Sequence, residues 1–167
     1  MTLYPTIDVC RELLFPFIRK WMATNEPAPY YEDERSGLGK LEGTLLLMER
    51  DEYEDLLAKA AYLFCSIVDG HHFSNGNKRL GVALLTFFLL TNNCKISAPD
   101  LQIMREELTK AFPRLIWEDV AVFKFPHEYF FYHLALIIAD RRQKGKMTFQ
   151  QEQAAVKTLL QIIVVKL

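Results

Sequence analysis

The chain has little net charge, few cysteines and no long hydrophobic run. Its 20 Lys and Arg residues nearly balance 21 Asp and Glu residues, so no overall field marks it as a binder of nucleic acid or of a membrane surface. The three cysteines are an odd number and lie far apart, which is typical of a reduced intracellular protein without a disulfide framework. These features predict a cytoplasmic protein.

Segments that would direct the chain to a membrane are also missing from the sequence. The most apolar run, residues 80–90, is about half as long as the roughly 20 residues with which a helix crosses a bilayer. Segment 1–10 has no basic stretch followed by an apolar block, and Asp8 lies where a signal peptide is most hydrophobic. We therefore expect neither secretion nor a membrane partner.

Hydrophobic residues make up 50% of the chain, which is enough for the core of one domain spanning residues 1–167. They recur at helical spacing in segments separated by Pro, Gly and Asn. Nearly every residue of segment 78–90 is apolar, with apolar side chains pointing in all directions, which is typical of a central helix. The fold is predicted to be all-α, a helical bundle around this central apolar helix.

A short polar run between two hydrophobic helices contains a dense set of candidate site residues: His71, Ser74, Asn75, Gly76, Asn77, Lys78 and Arg79. The second helix is predicted to begin near Asn77, so its free N–H groups and its positive dipole end, about half a charge, would favour an anion. Lys78 and Arg79 are unfavourable at that end unless an anion is bound. His71 can accept a proton near neutral pH. The residues alone thus indicate a phosphate or carboxylate site beside a histidine, and favour phosphoryl or nucleotidyl transfer.

The run 71–79 resembles the signature of the Fic/Doc family, which reads His, any residue, Phe, any residue, Asp/Glu/Asn, Gly/Ala, Asn, Gly/Lys and Arg. The resemblance covers roughly residues 35–93 and aligns Phe73 with the family's Phe, which makes His71 the catalytic histidine. Lys78 resembles the Doc (death-on-curing) branch, as does Val82 in place of a further arginine. The resemblance implies a Fic/Doc-type helical bundle.

The same resemblance implies a nucleotide-dependent transferase that modifies a hydroxyl of a target protein, with His71 as the base. The phosphates of ATP or of another nucleotide would be bound by Gly76, Asn77, Lys78 and Arg79. Asn75 would be a weak ligand for Mg²⁺, since magnesium prefers charged oxygens. The transferred group stays open between phosphate, as in Doc, and AMP, as in Fic. A role as a toxin with an antitoxin partner stays open as well.

Two further segments receive a role from the resemblance. The family has a flap before the motif that pairs with the target's backbone as an added strand, and a short flap of this kind, with a β-hairpin as one form, would comprise Ser36, Gly37, Leu38, Gly39, Lys40 and Leu41. Thr148 and Glu152 match the spacing of an inhibitory helix whose glutamate pairs with the motif arginine. Helix capping alone explains Thr148, so self-inhibition through Glu152 is the weaker interpretation.

The remaining polar features have structural interpretations. His127 and His133 have no Cys or carboxylate partners at metal-ligand spacing. The basic run 141–146 is interpreted as a solvated helix end, and nucleic acid is not expected as a partner. The competing hypothesis is a Fic-like interaction or nucleotide-binding domain that is catalytically weak or inactive because Asn75 does not support productive metal binding.

Overall fold

The structure is a computed structural model that describes residues 2–23, 26–113, 117–119, 121, 123–140 and 145–167. The first helix, α1, spans 7–21 and contains a π-helical turn, Cys10–Leu14, between two α-helical parts. A 3-10 turn, Tyr31–Asp33, leads into the next helix. The other elements follow in chain order: α2 (Arg35–Leu47), α3 (Leu56–Asp69), α4 (Asn77–Thr91), β1 (Cys94–Ile96), α5 (Leu101–Ala111), α6 (Pro126–Ala139), α7 (Phe149–Ile163) and β2 (Val164–Lys166).

The predicted all-α class is confirmed, because a two-stranded antiparallel sheet is the only sheet in the described part of the chain. Short polar side chains begin several helices. Asp55, Asp100 and Thr148 each accept the backbone N–H of the third residue on, which satisfies a donor that the helix itself leaves free. Gln151 completes the capping box with Thr148. Among the described residues, no helix has the length and apolar character needed to cross a bilayer.

The centre of the bundle is formed by α3 together with α4. Every residue of α3 from 59 to 68 is buried, and α3 packs against α4 on one side and α7 on another. Helix α4, the predicted central helix, has Leu90 52% exposed near its end. The deepest element is therefore α3, and α4 lies beside it. The loop that joins them, residues 70–76, is called the motif loop below.

Segment 36–41 lies inside α2, which corrects the predicted flap. Leu38, Leu41 and Leu45 recur at helical spacing and are buried, so their burial favours a helix over the loop that the glycines of this segment suggest. The backbone N–H and C=O groups inside a helix bond to one another, so this segment does not offer a free edge to a target strand. The two strands of the sheet lie after the motif, and they come from segments far apart in the chain.

Candidate active site

A cleft of about 570 Å³ lies at the N-terminal end of α4. The predicted site residues of the run 71–79 all line it: His71, Ser74, Asn75, Gly76, Asn77, Lys78 and Arg79. Its other walls come from Met22 and Glu26 after α1, Val68 of α3, and Tyr132 and Ala139 of α6. The fold thus brings the polar run into one cavity with apolar and aromatic side chains opposite.

Gly76 sets the start of α4. Its φ of +77° is left-handed, a conformation that glycine adopts without steric cost. A Cβ at this position would also collide with the Tyr31 hydroxyl and with Pro29, and that hydroxyl donates to the Gly76 carbonyl at 2.9 Å. No side chain caps the helix, so the N–H groups of residues 77–79 remain available to an anion in the cleft.

The side chain of Asn77 forms two hydrogen bonds with the backbone of the motif loop. Its Oδ1 accepts from the Phe73 N–H at 3.0 Å, and its Nδ2 donates to the Phe73 carbonyl at 2.7 Å. Phe73 is buried and packs against the rings of Phe15 and Tyr31. The side chain of Asn77 is therefore used inside the loop, and its backbone N–H is what it can offer a phosphate.

Arg79 and Lys78 carry the positive charge of the cleft. The Arg79 guanidinium donates to the carbonyls of Glu26 at 3.0 Å and Pro27 at 3.4 Å, which holds the segment after α1 at the edge of the cleft. A guanidinium has five N–H donors, so others stay available after these two bonds. Lys78 is exposed. Both charges lie at the positive end of the α4 dipole, an arrangement that a bound anion would stabilise.

His71 and His72 have different environments. His71 is exposed to the cleft and has a left-handed φ of +42°, which is uncommon for a residue with a side chain. His72 turns the other way, where its Nε2 and the Thr44 Oγ1 are joined by a hydrogen bond of 2.8 Å. Burial lowers the pKa of His72, and the nearby Lys40 ammonium acts in the same direction.

Glu34, Gly37 and Thr44 of the α2 region hold the motif loop, and sequence reasoning did not assign them this role. The Glu34 carboxylate accepts from the Ser74 N–H at 2.8 Å and from the Ser74 hydroxyl at 2.6 Å. No local pattern marks Glu34 or Thr44, because their partners lie 40 and 28 residues away in the chain. Gly37, predicted as part of a flap, instead lies against the loop at Phe73.

Asn75 fits a magnesium site poorly. Its Oδ1 already accepts from the Gly76 N–H at 2.6 Å, and an amide oxygen carries no charge to offer a hard cation. In the described ranges, no group of three or more His, Cys, Asp or Glu side chains could hold a metal ion. The cleft presents hydrogen-bond donors and positive charge, which match the oxygens of a phosphate directly.

Glu152 lies outside the cleft. It is 1% exposed within α7 and is not among the residues that line the cavity, whereas the Arg79 guanidinium donates to the two carbonyls at its edge. These positions do not support the predicted pairing of Glu152 with the motif arginine. Residues 141–144 of the predicted basic run lie outside the described residues.

The unfolding free energy is expected to fall as the pH is lowered from about 7.5 to about 5.5, where histidines titrate. Burial lowers the pKa of His72 and of His133, and the His133 ring is hydrogen-bonded to the Tyr129 carbonyl and the Glu118 N–H. The unfolded chain therefore binds protons first, and the stabilisation present above about pH 6.5 is lost as the pH falls through the lowered values. Urea unfolding at both pH values measures the change. His133→Gln should reduce it, and an unchanged pH dependence in that variant would contradict the assignment.

Residues 21–89 match the model of the Fic/DOC family. The matched segment contains α2, α3, the motif loop and most of α4. It supports the Fic/Doc resemblance and does not distinguish the Doc branch. No curated protein and no solved structure significantly matches the chain.

Proposed function

We propose, from the Fic/DOC match and the geometry of the cleft, that the protein transfers a phosphate-containing group from a nucleotide to a hydroxyl of a target protein. Proteins of this family are commonly nucleotide-dependent transferases. The observation that carries the proposal is a single cleft in which His71 lies with Lys78, Arg79 and a helix start that no side chain caps.

The first step is binding of the nucleotide phosphates at the start of α4. The N–H groups of residues 77–79 donate to phosphate oxygens, and Lys78 and Arg79 neutralise their charge. Gly76 has no side chain to come between the phosphate and this backbone. ATP is the proposed co-substrate. The family generally uses Mg²⁺ as well, which would be held by phosphate oxygens and water rather than by Asn75.

His71 then acts as the general base. Its imidazole takes the proton of a Ser, Thr or Tyr hydroxyl of the target as that oxygen forms a bond to phosphorus. The bond to the leaving group breaks on the other side, and ADP leaves if the γ-phosphate is attacked or pyrophosphate if the α-phosphate is attacked. A base within hydrogen-bond reach contributes about a hundred- to ten-thousandfold in rate.

Transfer of phosphate, as in Doc, is the first candidate, and transfer of AMP is the second. Lys78 supports the Doc resemblance, as does Val82, which lines a separate cavity together with His127 and Phe131. Position 82 thus adds no charge to the cleft. A toxin role with an antitoxin partner is part of this proposal, because the family acts on protein targets and includes members with antitoxins.

The competing function is that of a Fic-like domain that binds a nucleotide or a protein without transfer. The observation that favours it is the Asn75 side chain, whose oxygen bonds to the Gly76 N–H where the family more often has a carboxylate. Such a domain would bind ATP at the same N–H groups and cations but would leave no label on any protein.

The deciding experiment incubates the protein with cell lysate, Mg²⁺ and ATP labelled on either the α- or the γ-phosphate, beside His71→Ala. Protein-bound label from the γ-phosphate means phosphorylation, and label from the α-phosphate means transfer of AMP. If the protein bound ATP but produced no label above the His71→Ala background, the result would favour the domain that binds without transfer. If the protein neither bound ATP nor left label on any protein, the proposed function would be refuted.

A further inference from the structure

We propose that Thr44 is a positioning residue for the transfer reaction, because its hydrogen bond to His72 fixes the backbone that aims His71 into the cleft. The inference rests on the proposed function, in which His71 is the base. His71 has a φ of +42°, a conformation that a residue with a side chain keeps only where its surroundings enforce it. The neighbouring residues of the motif loop must therefore supply the restraint.

The imidazole of His72 is held on two sides. Its Nε2 is 2.8 Å from the hydroxyl oxygen of Thr44, a residue that is 6% exposed within α2. Its opposite edge lies against the backbone of Gly70, where an added Cβ would be 2.7 Å from Cε1 and 2.9 Å from Nδ1 of the ring. The ring is thus confined on two sides, and this confinement restrains the backbone of His72.

The next residues of the loop are held by the same part of the chain. Phe73 lies against Gly37, and Ser74 donates twice to the carboxylate of Glu34. On the other side of His71, Gly70 is fixed to the end of α3 by a hydrogen bond from its N–H to the Ser66 carbonyl. His71 lies between two anchored neighbours, and the Thr44–His72 bond is the anchor next to it.

The consequence for the reaction is geometric. A base works only within hydrogen-bond reach of the hydroxyl it deprotonates, and a misplacement of about 1 Å can cost about a hundredfold in rate. Phosphate binding uses the N–H groups of residues 77–79 and the charges of Lys78 and Arg79. Loss of the Thr44 hydroxyl should therefore lower the rate of transfer and leave nucleotide affinity largely unchanged.

The test compares Thr44→Val, which keeps the shape but removes the hydroxyl, with Thr44→Ser, which restores it. Thr91→Val is the matched control, since that hydroxyl bonds to carbonyls of its own helix, α4, at the end away from the cleft. We expect Thr44→Val to lower the rate of label transfer about a hundredfold, with ATP affinity near that of the parent. Thr44→Ser and Thr91→Val should transfer at nearly the parental rate.

A second measurement uses NMR on the same variants without any target protein. The three-bond coupling between the amide and α protons of His71 reports its φ, and it should change in Thr44→Val and return in Thr44→Ser. A parental transfer rate in Thr44→Val would overturn the inference, as would a parallel loss of ATP affinity. If the parent protein transfers no label, the proposed function fails separately, and an unchanged His71 coupling in Thr44→Val would then overturn the positioning role.

Discussion

His71→Asn is expected to lower the rate of label transfer by about a hundred- to ten-thousandfold, the usual contribution of a general base. Asparagine tolerates the left-handed φ of +42° at this position, so the motif loop should keep its shape. Its amide is polar and of similar reach, but it cannot take a proton near neutral pH. The dissociation constant for ATP should stay within about twofold of the parent, because a loss confined to the transition state leaves ground-state binding unchanged.

The matched control is His127→Asn. His127 is an exposed histidine in the first turn of α6, stacked on Phe125, and it does not line the cleft. Single-turnover labelling gives the rate, and isothermal titration gives the affinity for ATP. Retained transfer in His71→Asn would mean that another group is the base. A parallel drop in ATP affinity would mean that His71 acts in binding instead.

The grouping of the candidate residues in one cleft was largely predictable because they are contiguous in the sequence. A polar run between two apolar helices gives the position of a helix start. Lys78 and Arg79 are unfavourable at the positive end of that helix without an anion, so their presence there indicates an anion site. The contacts by which the α2 region holds the motif loop could not be predicted from the sequence. The Thr44–His72 and Glu34–Ser74 contacts join residues 28 and 40 positions apart, and they depend on how α2 packs against the loop rather than on any local pattern.

Two features of the fold also depend on contacts between residues distant in sequence, which the local pattern does not reveal. Gly37 and Gly39 suggest a mobile flap, whereas the leucines around them at helical spacing determine a helix, and the lack of a side chain at Gly37 serves close packing. Helical spacing also predicts that Lys59 faces outward. Instead it is 8% exposed, and its ammonium donates to the carbonyls of Met48 and Arg50 after the end of α2. Partners distant in sequence can satisfy a buried charge, and a single helix does not reveal them.

Gly37→Ala is expected to lower the unfolding free energy by about 1–3 kcal/mol, the usual cost of inserting atoms into a packed site. The new Cβ would lie 2.5 and 2.6 Å from two ring carbons of Phe73 and 2.8 Å from the His72 carbonyl oxygen. Phe73 is itself confined by the rings of Phe15 and Tyr31, so the ring has little room to move. The motif loop must shift instead, and transfer should fall with stability.

Gly39→Ala, on the same helix, is the control with the opposite sign. Nothing lies within 4 Å of a Cβ at Gly39, so alanine should raise the unfolding free energy by about 0.5–1 kcal/mol through its better helix propensity. Because both variants gain this propensity, the difference between them in urea unfolding isolates the contact of α2 with the loop. If the two variants were equally stable, α2 would not be packed against the motif loop, and the restraint on His71 would need another source.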